Sequence, residues 1–156
     1  MKNSYRILVL SDSHGKREYL NTLVNNQVFD YIFYLGDGTD RDLSNNIYNP
    51  SFLFVKGNCD DYFSDYPISQ IVHINNHKVL LTHGHEFKVK YGKELLFDFA
   101  NKNNISIVCF GHTHKQIFEN IHGIFFINPG ALKNGDYAEI DINNNAVKVC
   151  FKNILS

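Results

Sequence analysis

The stretch Cys109-Phe110-Gly111-His112-Thr113-His114 decides how this chain is read, because an apolar run ends there in a glycine and then presents two histidines. If the backbone stays extended past Gly111, strand alternation sets His112 and His114 on one side, so that two imidazoles converge on one place. That is a metal-ligand pattern. By itself it decides little, since a 156-residue chain with eight histidines can hold such a pair without using it.

Four other apolar runs end in the same manner. Ile7-Leu8-Val9-Leu10 leads into Ser11-Asp12-Ser13-His14, Tyr34-Leu35 into Gly36-Asp37, Val55-Lys56 into Gly57-Asn58, and Leu81-Thr82 into His83-Gly84-His85. Short runs rich in Val, Ile, Leu and Phe read as buried strands, and the glycines permit the sharp departure that a bulky residue would resist. Five strand ends therefore offer Asp12, His14, Asp37, Asn58, His83, His112 and His114. Ligands in open α/β sheets gather at the carboxyl ends of strands, where all seven fall. Seven donors mixing imidazole, carboxylate and one amide are too many for one first-row metal and suit two.

The ordered set D-x-H (Asp12, His14), GD (Gly36, Asp37), GNCD (57–60), HGH (83–85) and GHTH (111–114), followed by Ile127-Asn128-Pro129-Gly130-Ala131, resembles the calcineurin-like metallophosphoesterases, in particular their small bacterial and archaeal phosphodiesterase branch. The resemblance spans Asp12 to Ala131. It implies an α/β fold, a four-layer α-β-β-α sandwich of two mixed sheets with the metal site at the carboxyl ends of the strands. It also implies two divalent metal ions, Mn²⁺ before Fe, Zn, Ni or Co. By that analogy Asp12, His14 and His114 hold the first ion, Asn58, His83 and His112 hold the second, and Asp37 bridges both. The implied reaction is phosphoric ester hydrolysis by a metal-bridging hydroxide. Two divalent ions less Asp12, Asp37 and hydroxide leave a formal charge of about +1, which suits a singly charged phosphodiester. A phosphomonoesterase or a nuclease acting on short ends, built on the same fold, stays open.

One position departs from the wider superfamily. Many members carry histidine where this chain has Cys59, and that histidine is thought to help protonate the leaving group. The small phosphodiesterase branch is similar to this chain in having Cys there, so the departure selects a branch and leaves the general acid unassigned. His85, on the same loop as His83, is a candidate for that role or for a hydrogen bond that supports the ligands. A thiol at Cys59 can be reactive beside metal or buried and inert. A different class of protein is the non-catalytic, metal-bound scaffold, as in the retromer subunit that looks like this family. That subunit has an acidic residue and an aromatic where this chain has Asn58 and Cys59, and the intact Asn58 favours an enzyme.

The bulk properties are compatible with this reading. The length suits a single domain over 1–156, able to bury about 70% of its unfolded surface. A net charge of −1 speaks against a basic face for extended nucleic acid, leaving a small phosphodiester as the expected partner. Cys59, Cys109 and Cys150 show no CxxC spacing, and the last two sit in apolar strand patterns as core residues, which fits a reducing cytoplasm. No run approaches 18 apolar residues, so no membrane span is expected. The family resemblance implies a homodimer or larger assembly.

Along the chain, a strand from Tyr5 to Ser11, a loop and helix from Ser13 to Val28 with Leu20, Leu23, Val24 and Val28 on one face, and a strand from Asp30 to Leu35 make a β-α-β unit. A short helix over Asp40 to Ile47 and a strand over Phe52 to Val55 follow, then an aperiodic segment from Cys59 to Pro67 that can wall the site or lie on the surface. Hairpins are expected across Asn75-Asn76, His122-Gly123 and Asn143-Asn144-Asn145. A helix from Tyr91 to Asn103, stacking Tyr91, Leu95 and Phe99 with Leu96 and Ala100 beside them, precedes the strand Ile105 to Phe110. His73, His77 and His122 lie outside every motif and read as surface or capping residues. Asn128-Pro129-Gly130 reads as a rigid turn supporting the site.

Overall fold

The strand β1 (Ser4–Leu10) ends in four consecutive buried residues, as a strand covered on both faces must. The computed structural model describes residues 2–25, 28–38, 51–62 and 64–156. In it β1 pairs in parallel with β2 (Tyr31–Tyr34), which pairs in parallel with β3 (Phe52–Phe54). The C-terminal hairpin β9 (Asp136–Asn143) and β10 (Ala146–Asn153) adds antiparallel to the other side of β1, giving the order β10-β9-β1-β2-β3. A second mixed sheet runs β4-β5-β6-β8-β7, from β4 (Ser69–Ile74), β5 (His77–Thr82), β6 (Ile107–Cys109), β7 (Gln116–Ile121) and β8 (Ile124–Pro129).

Alternation along the strands sorts the core into layers. Ile7, Val9, Phe33 and Leu35 of the first sheet meet Val79, Leu81, Ile107 and Cys109 of the second in one buried cluster. The intervening Leu8, Leu10, Ile32 and Tyr34 pack outward against Leu20 and Leu23 of α1 (Arg17–Asn25), and Leu80, Val108 and Phe110 against Leu96 and Ala100 of α2 (Glu94–Lys102). Two sheets face to face with a helix on each outer side are the expected four-layer sandwich.

Several expectations need correction. The apolar face of α1 stops short of Val28, which is 89% exposed, while Phe29 packs onto the cluster instead. In α2 Leu96 and Ala100 are buried as expected and Phe99 packs against their cluster, but Tyr91 and Leu95 point outward at 90% and 51% exposure. Tyr91 is not part of the helix, because it ends a 3-10 turn over Val89–Tyr91 and Gly92, with a φ of 142°, separates it from Glu94. Cys150 is exposed because it lies on the edge strand β10. The expected helix over Asp40 to Ile47 falls outside the described residues.

All three hairpins form where expected, with positive φ at Asn75, His122 and Asn144. His77 is buried and caps the lower end of the sandwich, with Nδ1 3.0 Å from Ser106 Oγ and Nε2 3.3 Å from the Asn145 carbonyl.

Candidate metal centre

The first sheet delivers Asp12 and His14 after β1, Asp37 after β2 and Asn58 after β3, while the second delivers His83 after β5 and His112 and His114 after β6. Six of these seven side chains assemble into two groups of three donors, the donor atoms in each lying within 4.8 Å of one another. One group is Asp12, His14 and His114, and the other is Asp37, His83 and His112. Asn58 is exposed beside them, its amide nitrogen donating to Cys59 Sγ at 3.5 Å.

The route by which His112 and His114 arrive differs from the expectation of an extended strand end. Their φ values are +69° and +62°, in a turn closed by Thr113 N–H donating to the Gly111 carbonyl at 2.8 Å, so the two rings diverge into different groups. Asp12 (φ 56°), His14 (44°) and Asp37 (59°) are left-handed too. Left-handed backbone is uncommon for non-glycine residues, and its gathering at five of the six grouped donors is strain held in place by the surrounding packing.

The glycines divide into two kinds. Gly36 (φ 96°) and Gly84 (φ 105°) provide sharp departures. Gly57 and Gly111 provide close approach, because a Cβ on Gly57 would overlap Asp37 Oδ1 and one on Gly111 would overlap Ser11 Oγ.

Hydrogen bonds aim each donor. Asp12 Oδ2 accepts from Ser11 Oγ at 2.5 Å and from His112 N–H at 3.1 Å, leaving Oδ1 to face His114 Nε2 at 3.1 Å and His14 Nε2 at 3.6 Å. Asp37 Oδ1 accepts from Cys59 N–H at 2.9 Å, leaving Oδ2 3.2 Å from His83 Nε2 and 3.8 Å from His14 Nε2. His83 donates from Nδ1 to the Leu35 carbonyl at 2.6 Å, which orients the ring with Nε2 toward Asp37 and His112.

Asp60 holds the turn that carries Asp37. Its carboxylate accepts from three backbone N–H groups, Gly57 at 2.6 Å, Gly38 at 2.7 Å and Asp37 at 2.8 Å. The buried Asn128 ties down the histidine turn, donating to the Gly111 carbonyl and to Thr113 Oγ1, each at 3.0 Å. The expected supporting role of the 128–130 turn thus has a specific agent. Asp60 had no assigned role in the sequence, and its last place in GNCD was the one available signal.

The donor chemistry fits cations. Desolvation opposes ionisation of Asp37, yet hydrogen bonding and charge from His83 hold its carboxyl far below the usual carboxylate range. Burial pushes His83 toward its neutral form, but Asp37 and Asp12 outweigh it and raise its pKa. Burial, with the nearby His83 and Lys90, lowers His112 to about 4, so that it stays neutral with a lone pair to offer. His83 Nε2 and His112 Nδ1 face each other at 3.2 Å beside Asp37 Oδ2, an array of acceptors that a cation satisfies.

His85 lies with its ring 5.5 Å from that of His83, and its buried Nδ1 has no hydrogen-bond partner. Burial lowers its pKa, with a further contribution from His83. Cys59 is exposed, which corrects the buried reading, while partial desolvation and the Asp37 carboxylate raise the pKa of its thiol. It lines a cleft of about 660 Å³ with His14, Gly15, Asp37, Gly38, Asp60 and Asp61. The segment after Asn58 therefore walls the site at Cys59, Asp60 and Asp61.

Two face-to-face mixed sheets with metal-type donors at their strand ends define an α/β sandwich of the metal-binding phosphoesterase class. The chain belongs to the calcineurin-like phosphoesterase superfamily, whose domain model matches residues 5–144. It is 29% identical over 153 residues to the probable metallophosphoesterase YsnB of Bacillus subtilis, covering 93% of this chain and 89% of that one. Against the phosphodiesterase YfcE of Escherichia coli K12 it is 34% identical over 105 residues, covering 61% of this chain and 53% of that one.

Among solved structures, a Streptococcus pneumoniae TIGR4 protein described as a predicted phosphoesterase superposes with a TM-score of 0.86 at 27% identity, covering 98% of this chain and 91% of that one. Vacuolar protein sorting 29 of Cryptosporidium parvum shares the fold at a TM-score of 0.76 and 17% identity, covering 97% of this chain and 98% of that one. No helix among the described residues is long and apolar enough to cross a membrane.

Proposed function

We propose that this chain is a phosphodiesterase working with two divalent ions, Mn²⁺ before Fe, Zn, Ni or Co, on a small phosphodiester. The observation that carries the reading is the pair of three-donor groups joined at Asp37, whose Oδ2 lies 3.2 Å from His83 Nε2 of its own group and 3.8 Å from His14 Nε2 of the other. Asp12, His14 and His114 would hold one ion, and His83, His112 and Asn58 the other, with Asp37 serving both. When bound, such ions supply a water of lowered pKa and positive charge for the phosphoryl oxygens.

The protein's own groups do the rest. Ser11, the Leu35 carbonyl, Asp60 and Asn128 keep the donors aimed, so no reorganisation is needed as charge develops. Burial lowers the pKa of His85, so the role this reading gives its ring is a hydrogen bond from an N–H to a leaving-group oxygen, without transfer of the proton. The cleft suits a small ester, and Asp60 and Asp61 on its wall disfavour a dianionic monoester relative to a diester monoanion. The absence of disulfides among Cys59, Cys109 and Cys150 fits the cytoplasm as the working compartment.

The test is hydrolysis of an aryl phosphodiester against the matching monoester, in metal-free buffer and with Mn²⁺, for the wild type and Asp37→Asn. Mn²⁺-dependent diester cleavage that disappears in Asp37→Asn is the expected result. A metal-loaded protein that cleaves neither ester refutes the generic esterase reading and favours the scaffold, for which the shared fold with vacuolar protein sorting 29 is the supporting observation.

A further inference from the structure

Resting on the metal-centre reading above, the geometry points to Cys59 as a thiol ligand that, with His14 and Asp37, captures a thiophilic divalent ion such as Zn²⁺, Co²⁺ or Cd²⁺ at the wall of the cleft. A nitrogen of His14, an oxygen of Asp37 and Cys59 Sγ all lie within 4.8 Å of one another, a third donor group overlapping the two already described. The sulfur is held there by the backbone. Cys59 N–H donates to Asp37 Oδ1 at 2.9 Å, and Gly57 N–H on the same turn donates to Asp60 at 2.6 Å. The thiol is exposed and opens onto the same cleft as His14 and Asp37, so an ion reaches all three from solvent. Neither other cysteine competes for this place, since Cys109 is fully buried under the sheet and Cys150 lies on β10.

Donor softness then decides which ions use the group. Carboxylate, carbonyl and water suit Mn²⁺ and Mg²⁺, which gain little from sulfur. Zn²⁺, Co²⁺ and Cd²⁺ bind thiolate strongly, and one imidazole, one carboxylate and one thiolate make a three-ligand set that zinc accepts. Ligation breaks the S–H bond and forms a sulfur–metal bond, the proton leaving to solvent. Because His14 also belongs to the Asp12 group and Asp37 to the His83 group, an ion held by Cys59 draws one donor from each. Hard ions therefore leave the thiol protonated and both groups intact, whereas soft ions pull the centre toward the cleft wall.

The experiment titrates metal-free Cys150→Ser protein with Co²⁺ and follows the near-ultraviolet sulfur-to-cobalt charge-transfer absorption, then repeats it with Cys59→Ser added. The expected result is a saturable sulfur band that vanishes with Cys59→Ser. The Cd²⁺ dissociation constant rises by at least about tenfold, the lower end of what even an outer-shell partner contributes, while Mn²⁺ binds both proteins alike. Co²⁺ binding without a sulfur band, or a band that survives Cys59→Ser, overturns the assignment of Cys59 and leaves the phosphodiesterase reading standing. Failure of Mn²⁺ and Co²⁺ alike to bind the folded protein overturns both readings.

Discussion

Replacing Asp60 with Asn tests whether the metal centre is held from outside its own donors. Asp60 Oδ2 accepts from Gly57 N–H at 2.6 Å and Asp37 N–H at 2.8 Å, and Oδ1 accepts from Gly38 N–H at 2.7 Å. An asparagine offers one carbonyl oxygen, so if it serves Gly57 and Asp37, its own amide N–H groups confront the N–H of Gly38. One charge-assisted bond, about 1.5–3 kcal/mol, is lost, and two are reduced to neutral bonds of about half the strength, so the local loss is about 3–6 kcal/mol. The turn it restrains is strained, with φ of 59° at Asp37 and 143° at Gly38, and left-handed backbone at a non-glycine residue costs about 1–3 kcal/mol. The loss is at least as large as the strain it opposes, so the turn relaxes and Asp37 leaves its aim. Metal affinity falls about 10–100-fold, the usual effect of removing a partner that orients ligands. Calorimetric titration of metal-free protein with Mn²⁺ reads this directly, and a thermal melt of the apo form separates it from unfolding. An Asp60→Asn protein that is folded and binds Mn²⁺ with wild-type affinity and stoichiometry refutes the reasoning.

Gly57→Ala leaves every donor in place, yet its Cβ would lie 2.7 Å from Asp37 N and overlap Oδ1. The carboxylate must retreat by about 1 Å, lowering turnover of an aryl diester on the order of 10²-fold, and unchanged kinetics would show that the close approach is unimportant. His85→Asn lowers kcat/KM more for diesters with poor leaving groups than for aryl diesters. Equal losses on both would remove His85 from hydrogen bonding to the leaving group. Glu139 lies buried between Arg6 at 2.9 Å and Lys152 at 3.1 Å; burial raises its pKa, but the two cations outweigh burial and hold it below its ordinary value. With a lowered folded pKa, its stabilisation is present above the unfolded value near 4.3 and is lost as pH falls through the folded one. Glu139→Gln is therefore less stable than wild type at pH 7 by about 1–2 kcal/mol, a figure reduced for the exposure of both partners. The gap closes in acid, and melting curves across pH check the sign.

The strand ends were legible because strands buried on both faces read as unbroken apolar runs and glycine marks where they stop. Their side chains were legible because carboxylates and imidazoles rarely follow such runs in concert. The backbone that aims them was not. Alternation treats the chain past Gly111 as extended, whereas His112 and His114 are left-handed, a conformation that nothing in a His-Thr-His sequence favours and that packing against Ser11 and Asn128 imposes. Asp60 was illegible for a related reason, since two of its three donors, Asp37 and Gly38, lie more than 20 residues away on another loop. In α2, periodicity found the helix and its buried Leu96 and Ala100, but Gly92 cuts Tyr91 off from the helix and leaves it exposed.

Metal binding at the proposed centre would be coupled to folding by the way the donors are divided between sheets. Asp12 and His14 come from the first sheet and His114 from the second, while Asp37 comes from the first and His83 and His112 from the second. Each group therefore spans the interface, beside cross-sheet hydrogen bonds from His83 to the Leu35 carbonyl and from His112 N–H to Asp12. An ion in either group ties the sheets together at the end of the sandwich where buried carboxylates and imidazoles replace apolar packing. Free ion at 100 times its dissociation constant stabilises the folded state by about 2.7 kcal/mol per site. For a domain of this size that is about 5–10 °C in Tm, and chelation reverses it. If the ions instead sat on one sheet, each would still stabilise by mass action but would leave the interface alone. Hydrogen exchange discriminates, because adding metal must slow the amides of both sheets around Asp12, Asp37, Gly111 and His112. Protection confined to one sheet would refute the cross-sheet coupling.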